Sequence, residues 1–287
     1  STNRAWGGVT GSDVTTLRMH IIGTSTISNF RLAAADVNND ANITGSDVTA
    51  MRQRIVGMIN SFPAGDWKFN NQNTLTVSGS NINLNFQGLT VGDVNGDFIP
   101  TVAKTIPKVN INYAATLRVN KGAEFEVPIK INSDLEISSY TFHINYQTEY
   151  LKFKGVKGFD GIFFNEQNGL ISLVWDDVKL HHLKANQTIF SLQFEPTENF
   201  RIGDFLSLDI DEEKSELGSL SKSLSNIGIT VPSIEGFEST KFNLVQNYPN
   251  PFNPATKIKY YLQAERSEER RVGEECSYRW WADHLKK

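Results

Sequence analysis

Residues 9–23 read VTGSDVTTLRMHIIG and residues 43–57 read ITGSDVTAMRQRIVG, which is one motif repeated at an offset of 34 residues. In each copy an Asp precedes apolar residues spaced three or four apart, as on one face of a helix. A glycine ends each copy, at the position where a helix often stops in a left-handed residue. The repeat predicts two amphipathic helices that bury their apolar faces, most simply against each other.

A polar loop directly precedes the second copy. Residues 36–47 read DVNNDANITGSD, with side-chain oxygens at loop positions 1, 3, 5, 9 and 12. Ca²⁺ takes six to eight oxygen ligands from a short, flexible loop of this kind. Ala41 stands where the tight turn favours glycine, so we expect backbone strain there. The alternative is a polar loop that ends in a helix-capping Asp. The candidate ligands are Asp36, Asn38, Asp40, Thr44 and Asp47 through their side chains and Asn42 through its backbone carbonyl.

The first copy keeps only one of these ligands, Asp13. A half-loop that could replace the others follows much later, where residues 92–97 read GDVNGD and offer Asp93, Asn95 and Asp97. We expect the half-loop to fold back beside Asp13 and to complete a second calcium site there. The alternative is a turn rich in Gly, Asn and Asp.

The duplicated loop and helix resemble the type I dockerin, the calcium-dependent module of cellulosome-like assemblies. The resemblance implies a calcium-binding module that joins a protein partner of cohesin type. The first copy departs from the family, because it has Thr2, Arg4 and Trp6 where ligands are expected.

Beyond residue 108 the pattern changes from helical spacing to alternation of apolar and polar residues, which predicts strands. Clusters of Gly, Asn and Asp separate the segments at the spacing of a β-sandwich. We expect one inner face to carry Tyr140, Phe142, Ile144 and Tyr146 against Leu173, Trp175 and Phe194. The predicted strands are 124–131, 140–146, 171–175, 189–194, 205–208 and 227–231.

The order of these elements resembles the cohesin domain, on the stretches 123–129, 144–151 and 175–177. That resemblance implies a jelly-roll sandwich, an architecture shared with several carbohydrate-binding modules. The predicted fold class is therefore mainly β, with a small α-helical calcium-binding module and a cohesin-like β-sandwich.

The sandwich offers no arrangement typical of an active site. Asp176 and Asp177 are neighbours on a predicted strand, so their side chains should point to opposite faces and form no dyad. His181 and His182 fall in a predicted loop, and we expect them, like His143, to be exposed. The sequence contains no phosphate-binding glycine loop, metal-spaced His pair or Ser-His-Asp order. We predict that the protein is not an enzyme.

Charge argues against a nucleic-acid partner, and hydropathy argues against a membrane-spanning segment. The formal net charge of −4 and the pI near 5.8 argue against nucleic acid, which needs a basic face. No run approaches eighteen apolar residues, so the sequence predicts no transmembrane segment.

The C-terminal region resembles an export signal. Residues 246–254 read QNYPNPFNP, and residues 242–262 as a whole resemble the C-terminal sorting domain of type IX secretion cargo in Bacteroidetes-like bacteria. Residues 266–273 read RSEERRVG, which resembles a translated sequencing adapter, and we interpret residues 266–287 as an artefact. The sorting domain is then cut short, and we expect its strand at 257–262 to be unpaired. The opening Ser1 without a signal peptide likewise leads us to expect a fragment.

The predicted function is non-catalytic calcium-binding adhesion or assembly of dockerin–cohesin type, outside the cell or on its outer surface. The alternative is a carbohydrate-binding accessory region of a larger extracellular polysaccharide-degrading enzyme, with Tyr113, Tyr150 or Trp175 stacking on a cell-surface polysaccharide. A third interpretation has the sandwich dock on its own helical neighbour through a large apolar interface. The predicted parts are a dockerin-like module with a short β segment (1–100), a linker (101–108), the sandwich (109–232), a truncated sorting domain (233–265) and the artefact (266–287).

Overall fold

The computed structural model of the protein describes residues 6–70, 87–99, 108–220, 222–237, 243–248 and 257–261. Contacts divide the chain into a first unit that ends at Gly236 and a second unit that begins at Phe237. Thr2, Arg4, most of the predicted linker and the adapter-like tail lie outside the described residues.

Two of the three described helices are the predicted repeat copies, α1 (Gly11–Ile21) and α3 (Gly45–Ile55), with the short α2 (Phe30–Ala35) between them. Each copy stops as predicted, because Gly23 and Gly57 both adopt a left-handed φ of 77°. At each end the two amide donors of a Schellman motif reach back into the last turn, as in the bond from the Thr24 N–H to the Met19 carbonyl (2.9 Å).

The strands of the first unit begin in the helical region and continue through its C-terminal half. They are β1 (Trp67–Phe69), β2 (Gly88–Thr90), β3 (Val109–Asn112), β4 (Thr116–Asn120), β5 (Phe125–Ile131), β6 (Leu135–Asn145), β7 (Leu151–Gly158), β8 (Phe163–Gln167), β9 (Leu170–Leu183), β10 (Thr188–Pro196), β11 (Phe205–Leu206), β12 (Asp209–Ile210), β13 (Glu216–Ser219), β14 (Lys222–Ser223), β15 (Ile227–Thr230) and β16 (Ser233–Phe237).

Two of the sheets stack to form a sandwich. Sheet I has the order β3-β15-β5-β10-β7, and sheet II has the order β14-β13-β6-β9-β8, with β12 also paired to β6. Smaller sheets are formed by β11-β16-β4 and by β1-β2. Within sheets I and II neighbouring strands are antiparallel except for β15 and β3, which are parallel from Ile227–Val109 to Thr230–Asn112.

The core between sheets I and II is aromatic and aliphatic. Tyr140 and Phe142 of β6 reach across to Phe190 of β10, with ring centroids 5.4 and 5.1 Å apart. Of the predicted inner face, Tyr146 is half-buried and the other members are fully buried. The predicted class, mainly β with a small helical module and a β-sandwich, is therefore confirmed.

The outer face of sheet II is covered by α1 and α3. Val174, which points outward from β9, packs into the apolar core of the two helices beside Val14, Leu17 and Met51. The helices do pack against each other, as predicted, but part of their apolar surface is buried by the sandwich. No described helix is long and apolar enough to cross a membrane.

The second unit contains an antiparallel hairpin of β17 (Asn243–Tyr248) and β18 (Lys257–Tyr261), in which Val245 pairs with Lys259. The expectation that the strand at 257–262 is unpaired is therefore wrong. Residues 243–248, which include the first three residues of the proline-rich motif, form a partner strand that satisfies backbone groups a lone strand would leave open.

Candidate metal centre

The loop at residues 36–47, here called the continuous loop, is organised by its own carboxylates. The Asp36 carboxylate accepts hydrogen bonds from the backbone N–H groups of Asp40 (3.1 Å) and Ala41 (3.0 Å). Asp40 in turn accepts one from the N–H of Asn42 (2.8 Å). Ala41 has a φ of 66°, in the left-handed region, so the predicted backbone strain at this turn is present.

Asp47 closes the continuous loop from the first turn of α3. Its side chain is fully buried, and Oδ1 accepts hydrogen bonds from the N–H groups of Val37 (3.0 Å) and Asn38 (3.3 Å). Oδ2 accepts one from the N–H of Thr44 (2.9 Å). Loop positions 2, 3 and 9 are thereby held against position 12.

Asp13 makes the same three hydrogen bonds from the first turn of α1, but two of the donors come from the distant half-loop. Its Oδ1 accepts from the N–H groups of Val94 (3.0 Å) and Asn95 (3.1 Å), and its Oδ2 accepts from the N–H of Thr10 (2.9 Å). Asp13 and Asp93 are both fully buried. The structure therefore brings the half-loop to Asp13, in the arrangement that the continuous loop shows at Asp47.

The correspondence extends beyond Asp13. In the half-loop the Asn95 amide donates to the Asp97 carboxylate (3.1 Å), as Asn38 donates to Asp40 (3.0 Å). The fourth position is left-handed in both, with φ of 70° at Gly96 and 60° at Asn39. Residues 93–98 thus supply positions 1 to 6 of a calcium-type loop, and residues 8–13 supply positions 7 to 12. We call these two segments the split loop.

Electrostatics at the split loop favours a bound cation. Burial, followed by the nearby charge of Asp93, holds the pKa of Asp13 well above its usual range. Burial is also the main cause that raises the pKa of Asp93 to about 6. Asp93 Oδ2 is buried and has no hydrogen-bond partner within the described part of the chain. A cation at this point would give that oxygen a ligand bond and offset both carboxylates.

No three His, Cys, Asp or Glu side chains gather as a metal-binding group within the described ranges. Either loop would therefore depend on amide, hydroxyl and backbone oxygens besides its carboxylates. Such a mixed set of oxygens is what Ca²⁺ accepts.

Two residues of the split loop were missed by the sequence analysis, although the 34-residue offset could have found them. Gly8 occupies the position of Asn42, and Thr10 that of Thr44. Trp6, by contrast, has become part of the helical core. Its indole N–H donates to the Val91 carbonyl (2.9 Å), and the Arg54 guanidinium lies 3.8 Å from its ring centroid.

The split loop adjoins the contact between α1 and sheet II. The Gly11 N–H donates to Thr141 Oγ1 (2.8 Å), and the Ser12 hydroxyl donates to Glu216 Oε1 (3.2 Å). Gly218 leaves room for Ser12, since a Cβ there would lie 2.1 Å from Ser12 Oγ. Docking of the helices on their own sandwich is thus present, but the interface combines polar contacts at the start of α1 with the apolar contact of Val174, which corrects the expected large apolar one. The physical reason is that α1 meets the sheet with its short N-terminal side chains, which hydrogen-bond across it.

The remaining candidate groups of the sandwich do not form a site. Asp176 points to the helices, where its side chain is buried, and Asp177 points away to His181 (2.8 Å), so the prediction that they form no dyad is confirmed. His181 and His143 were expected to be exposed, and that is wrong. His181 packs against Trp175, and His143 Nδ1 shares a hydrogen bond with Ser172 (2.9 Å). His143 lies in β6 and His181 in β9, where neighbouring side chains partly cover their rings. His182 is exposed as expected.

Known proteins resemble separate parts of this chain. Residues 7–56 match the dockerin type I domain. Among curated proteins, none matches the chain.

The similar solved structures include cohesins. They include the seventh ScaB type I cohesin from Pseudobacteroides cellulosolvens (19% identity, TM-score 0.36, 46% of this chain and 93% of that one). A non-cellulosomal cohesin from Archaeoglobus fulgidus has 16% identity, a TM-score of 0.35 and coverage of 48% and 95%. The Coh-OlpA-Doc918 complex from Clostridium thermocellum, a type I cohesin–dockerin complex, has 14% identity, a TM-score of 0.36 and coverage of 43% and 95%.

Proposed function

We propose that this chain is a non-catalytic, calcium-binding assembly protein of dockerin–cohesin type, in which the helical repeat is held by the sandwich of the same chain. The observation that carries the proposal is the matched pair of buried acids. Asp47 and Asp13 each accept three backbone hydrogen bonds in the same pattern. The donors lie in the continuous loop for Asp47 and in the split loop for Asp13. Two loops of this form within the region that matches a dockerin and its return segment support calcium at both.

Each calcium ion would be held by the mixed oxygens of one loop. The ion would supply positive charge that offsets the carboxylates and joins the start of the loop to the helix that ends it. The continuous loop would use Asp36, Asn38, Asp40, Asn42, Thr44 and Asp47, and the split loop would use Asp93, Asn95, Asp97, Gly8, Thr10 and Asp13.

Calcium titration of the full chain by calorimetry tests this proposal. We expect two binding events, of which Asp36→Ala removes one and Asp93→Ala removes the other. Asp134→Ala is the control, because Asp134 is an exposed acid that pairs with Lys184 and belongs to neither loop. Absence of calcium-dependent heat and of any calcium-dependent gain in stability would reject the calcium function.

The partner class of the repeat would be a cohesin-type sandwich, and we infer that residues 109–232 fill that role within the chain. The inference is supported by the bonds from α1 to Thr141 and Glu216. The boundaries at residues 100, 108 and 232 belong to the same proposal. Calorimetry between the separately expressed segments 1–100 and 109–232 would show binding in calcium if the inference is right.

We further propose export by type IX secretion to the outer surface or the medium. The motif at residues 246–254 and the hairpin of β17 and β18 support this proposal. In a host with the type IX pathway, substitution of Tyr248 and Pro249 by Ala should retain the chain inside the cell. Unchanged secretion would contradict it.

A carbohydrate-binding accessory role remains a second candidate because of one surface cavity. The cavity has a volume of about 550 Å³, and Tyr146, Tyr150 and Phe205 line it together with acidic and amide side chains. Phe205 is 63% exposed, whereas Trp175 is only 2% exposed and is thereby removed as a stacking residue. A glycan-array signal lost in Phe205→Ala and Tyr150→Ala would favour this function.

A further inference from the structure

We propose that the split loop is a calcium-operated latch that holds the helices on sheet II, while the continuous loop has no such role. The proposal rests on the calcium function above and adds a regulation to it. The split loop is complete only when residues 8–13 of the α1 segment meet residues 93–98. Whether the split loop can form a complete calcium site therefore depends on how its two segments meet at the start of α1.

The split loop touches the sandwich directly through one of its candidate ligands. The Ser223 hydroxyl on β14 donates to Asp97 Oδ2 (2.6 Å) and also lies within reach of Glu216 Oε1 (3.3 Å). Glu216, on β13, is 1% exposed and accepts the hydrogen bond from Ser12, the residue beside Asp13. A continuous set of hydrogen bonds thus joins both segments of the split loop to the outer edge of sheet II.

Lys108 adds a charge to this network. Its ammonium forms an ion pair with Glu216, and Asp97 and Asp13 lie near enough to act on it electrostatically. The buried Glu216 is thereby neutralised at the point where the split loop meets the sheet.

Among the described residues, the continuous loop has no equivalent connection to the sandwich. The hydrogen bonds of Asp40 stay within the loop, and Ser46, the repeat equivalent of Ser12, is exposed and bonds only to loop residues among those described. A Cβ at Gly45 would meet nothing within 4 Å, whereas one at Gly11 would lie 3.0 Å from Ser139 Cβ. Two loops of matching internal geometry therefore differ in whether their helix start is docked.

Calcium binding at the split loop and docking of the helices are thermodynamically linked, so each regulates the other. A cation that binds more tightly when the helices are docked must favour docking, and docking must raise the affinity of the site by the same factor. Changes on the sandwich should therefore alter calcium affinity at the split loop and leave the continuous loop unchanged.

The test uses the full chain with Asp36→Ala, so that calorimetry reports only the split loop. Ser223→Ala removes the bond to Asp97, and Asp176→Ala removes the carboxylate that binds Arg18 of α1 and Arg52 of α3, none of which is a candidate calcium ligand. Each should weaken calcium binding by roughly five-fold or more, the lower end of coupling between linked sites. Asp177→Ala, the neighbouring acid that faces away from the helices, is the matched control and should leave the affinity unchanged.

The same substitutions on an Asp93→Ala background should leave the affinity of the continuous loop unchanged. Small-angle scattering gives a readout that does not depend on affinity, since chelation of calcium should enlarge the radius of gyration of the Asp36→Ala chain. Ser223 is half-exposed, so Ser223→Ala keeps the test valid even if Asp176→Ala fails to fold.

The possible failures are distinguishable. Calcium binding at the split loop that is unaffected by Ser223→Ala, with no change in scattering, would reject the latch and keep the calcium function. No calcium binding at either loop would reject both.

Discussion

Arg18 and Arg52 occupy equivalent positions in the two copies of the repeat, and their guanidinium groups bind the two oxygens of one carboxylate. Arg18 Nη1 lies 2.6 Å from Asp176 Oδ2, and Arg52 Nη2 lies 2.7 Å from Asp176 Oδ1. The Asp176 side chain is fully buried. One acid of the sandwich thus fixes both helices at once, which is possible because the repeat places the two arginines on the same face of the helical pair.

The first prediction concerns this carboxylate. Asp176→Ala should lower the free energy of unfolding by about 2–3 kcal/mol. This is less than the loss expected for a fully buried ion pair, because both guanidinium groups remain partly exposed to solvent. Asp177→Ala should cost about 1 kcal/mol or less, since the Asp177–His181 pair is about a third exposed. Urea denaturation of the full chain in calcium measures both. Equal losses for the two variants would contradict the assigned role of Asp176.

The second prediction compares the two glycines that begin α1 and α3. A Cβ at Gly11 would lie 3.0 Å from Ser139 Cβ and 3.2 Å from the Trp175 carbonyl oxygen, whereas a Cβ at Gly45 would meet nothing within 4 Å. Gly11→Ala should destabilise the chain by about 1–3 kcal/mol through overpacking. Gly45→Ala should be neutral or slightly stabilising, because Ala has the higher helix propensity. The shift in the denaturation midpoint measures the difference in stability between the two variants. A Gly11→Ala chain as stable as the unsubstituted chain would argue against close docking.

The third prediction is a pH dependence from His143. Burial lowers the pKa of His143, which outweighs the opposing effect of Asp211 and is assisted by Lys214. The unfolded chain therefore takes up a proton at higher pH than the folded chain does. The stabilising contribution is fully present above the unfolded pKa of about 6.5, and it is lost as pH falls from there towards the folded pKa.

His143→Asn should reduce the loss of stability between pH 7.5 and 5.5. His182→Asn is the control, because the His182 side chain is 74% exposed. A pH profile unchanged by His143→Asn would contradict the prediction.

The fourth prediction concerns calcium and stability. A ligand that binds only the folded chain adds about 2.7 kcal/mol at a free concentration one hundred times its Kd. Asp47→Asn and Asp13→Asn remove equivalent acids from the two loops, so each should remove one such increment. Thermal unfolding in calcium and in chelator measures this gain in stability. If the variant with both substitutions still unfolds at a higher temperature in calcium, the ion binds elsewhere.

The sequence by itself determined the elements whose signal is local. The repeat fixed α1, α3 and their glycine stops, because helix periodicity and caps depend on residues within a few positions. For the same reason alternation predicted β5, β6, β9, β10, β11 and β15 and the inner face around Tyr140 and Trp175, but it did not lead to β7 or β8. The short strands β3, β4, β13 and β14 and the short helix α2 had too few residues for such a pattern.

Only the tertiary structure decided how distant residues meet. The sequence suggested that Asp93 returns to Asp13, but the bonds from the Val94 and Asn95 amides to Asp13 depend on the path of some eighty intervening residues. It also gave no sign that Arg18 and Arg52 share Asp176, or that Gly11 is buried while Gly45 is exposed in an identical GSDV sequence. Identical local sequence has identical local propensity, so the difference must come from the sheet that packs on one copy and leaves the helix start of the other in solvent.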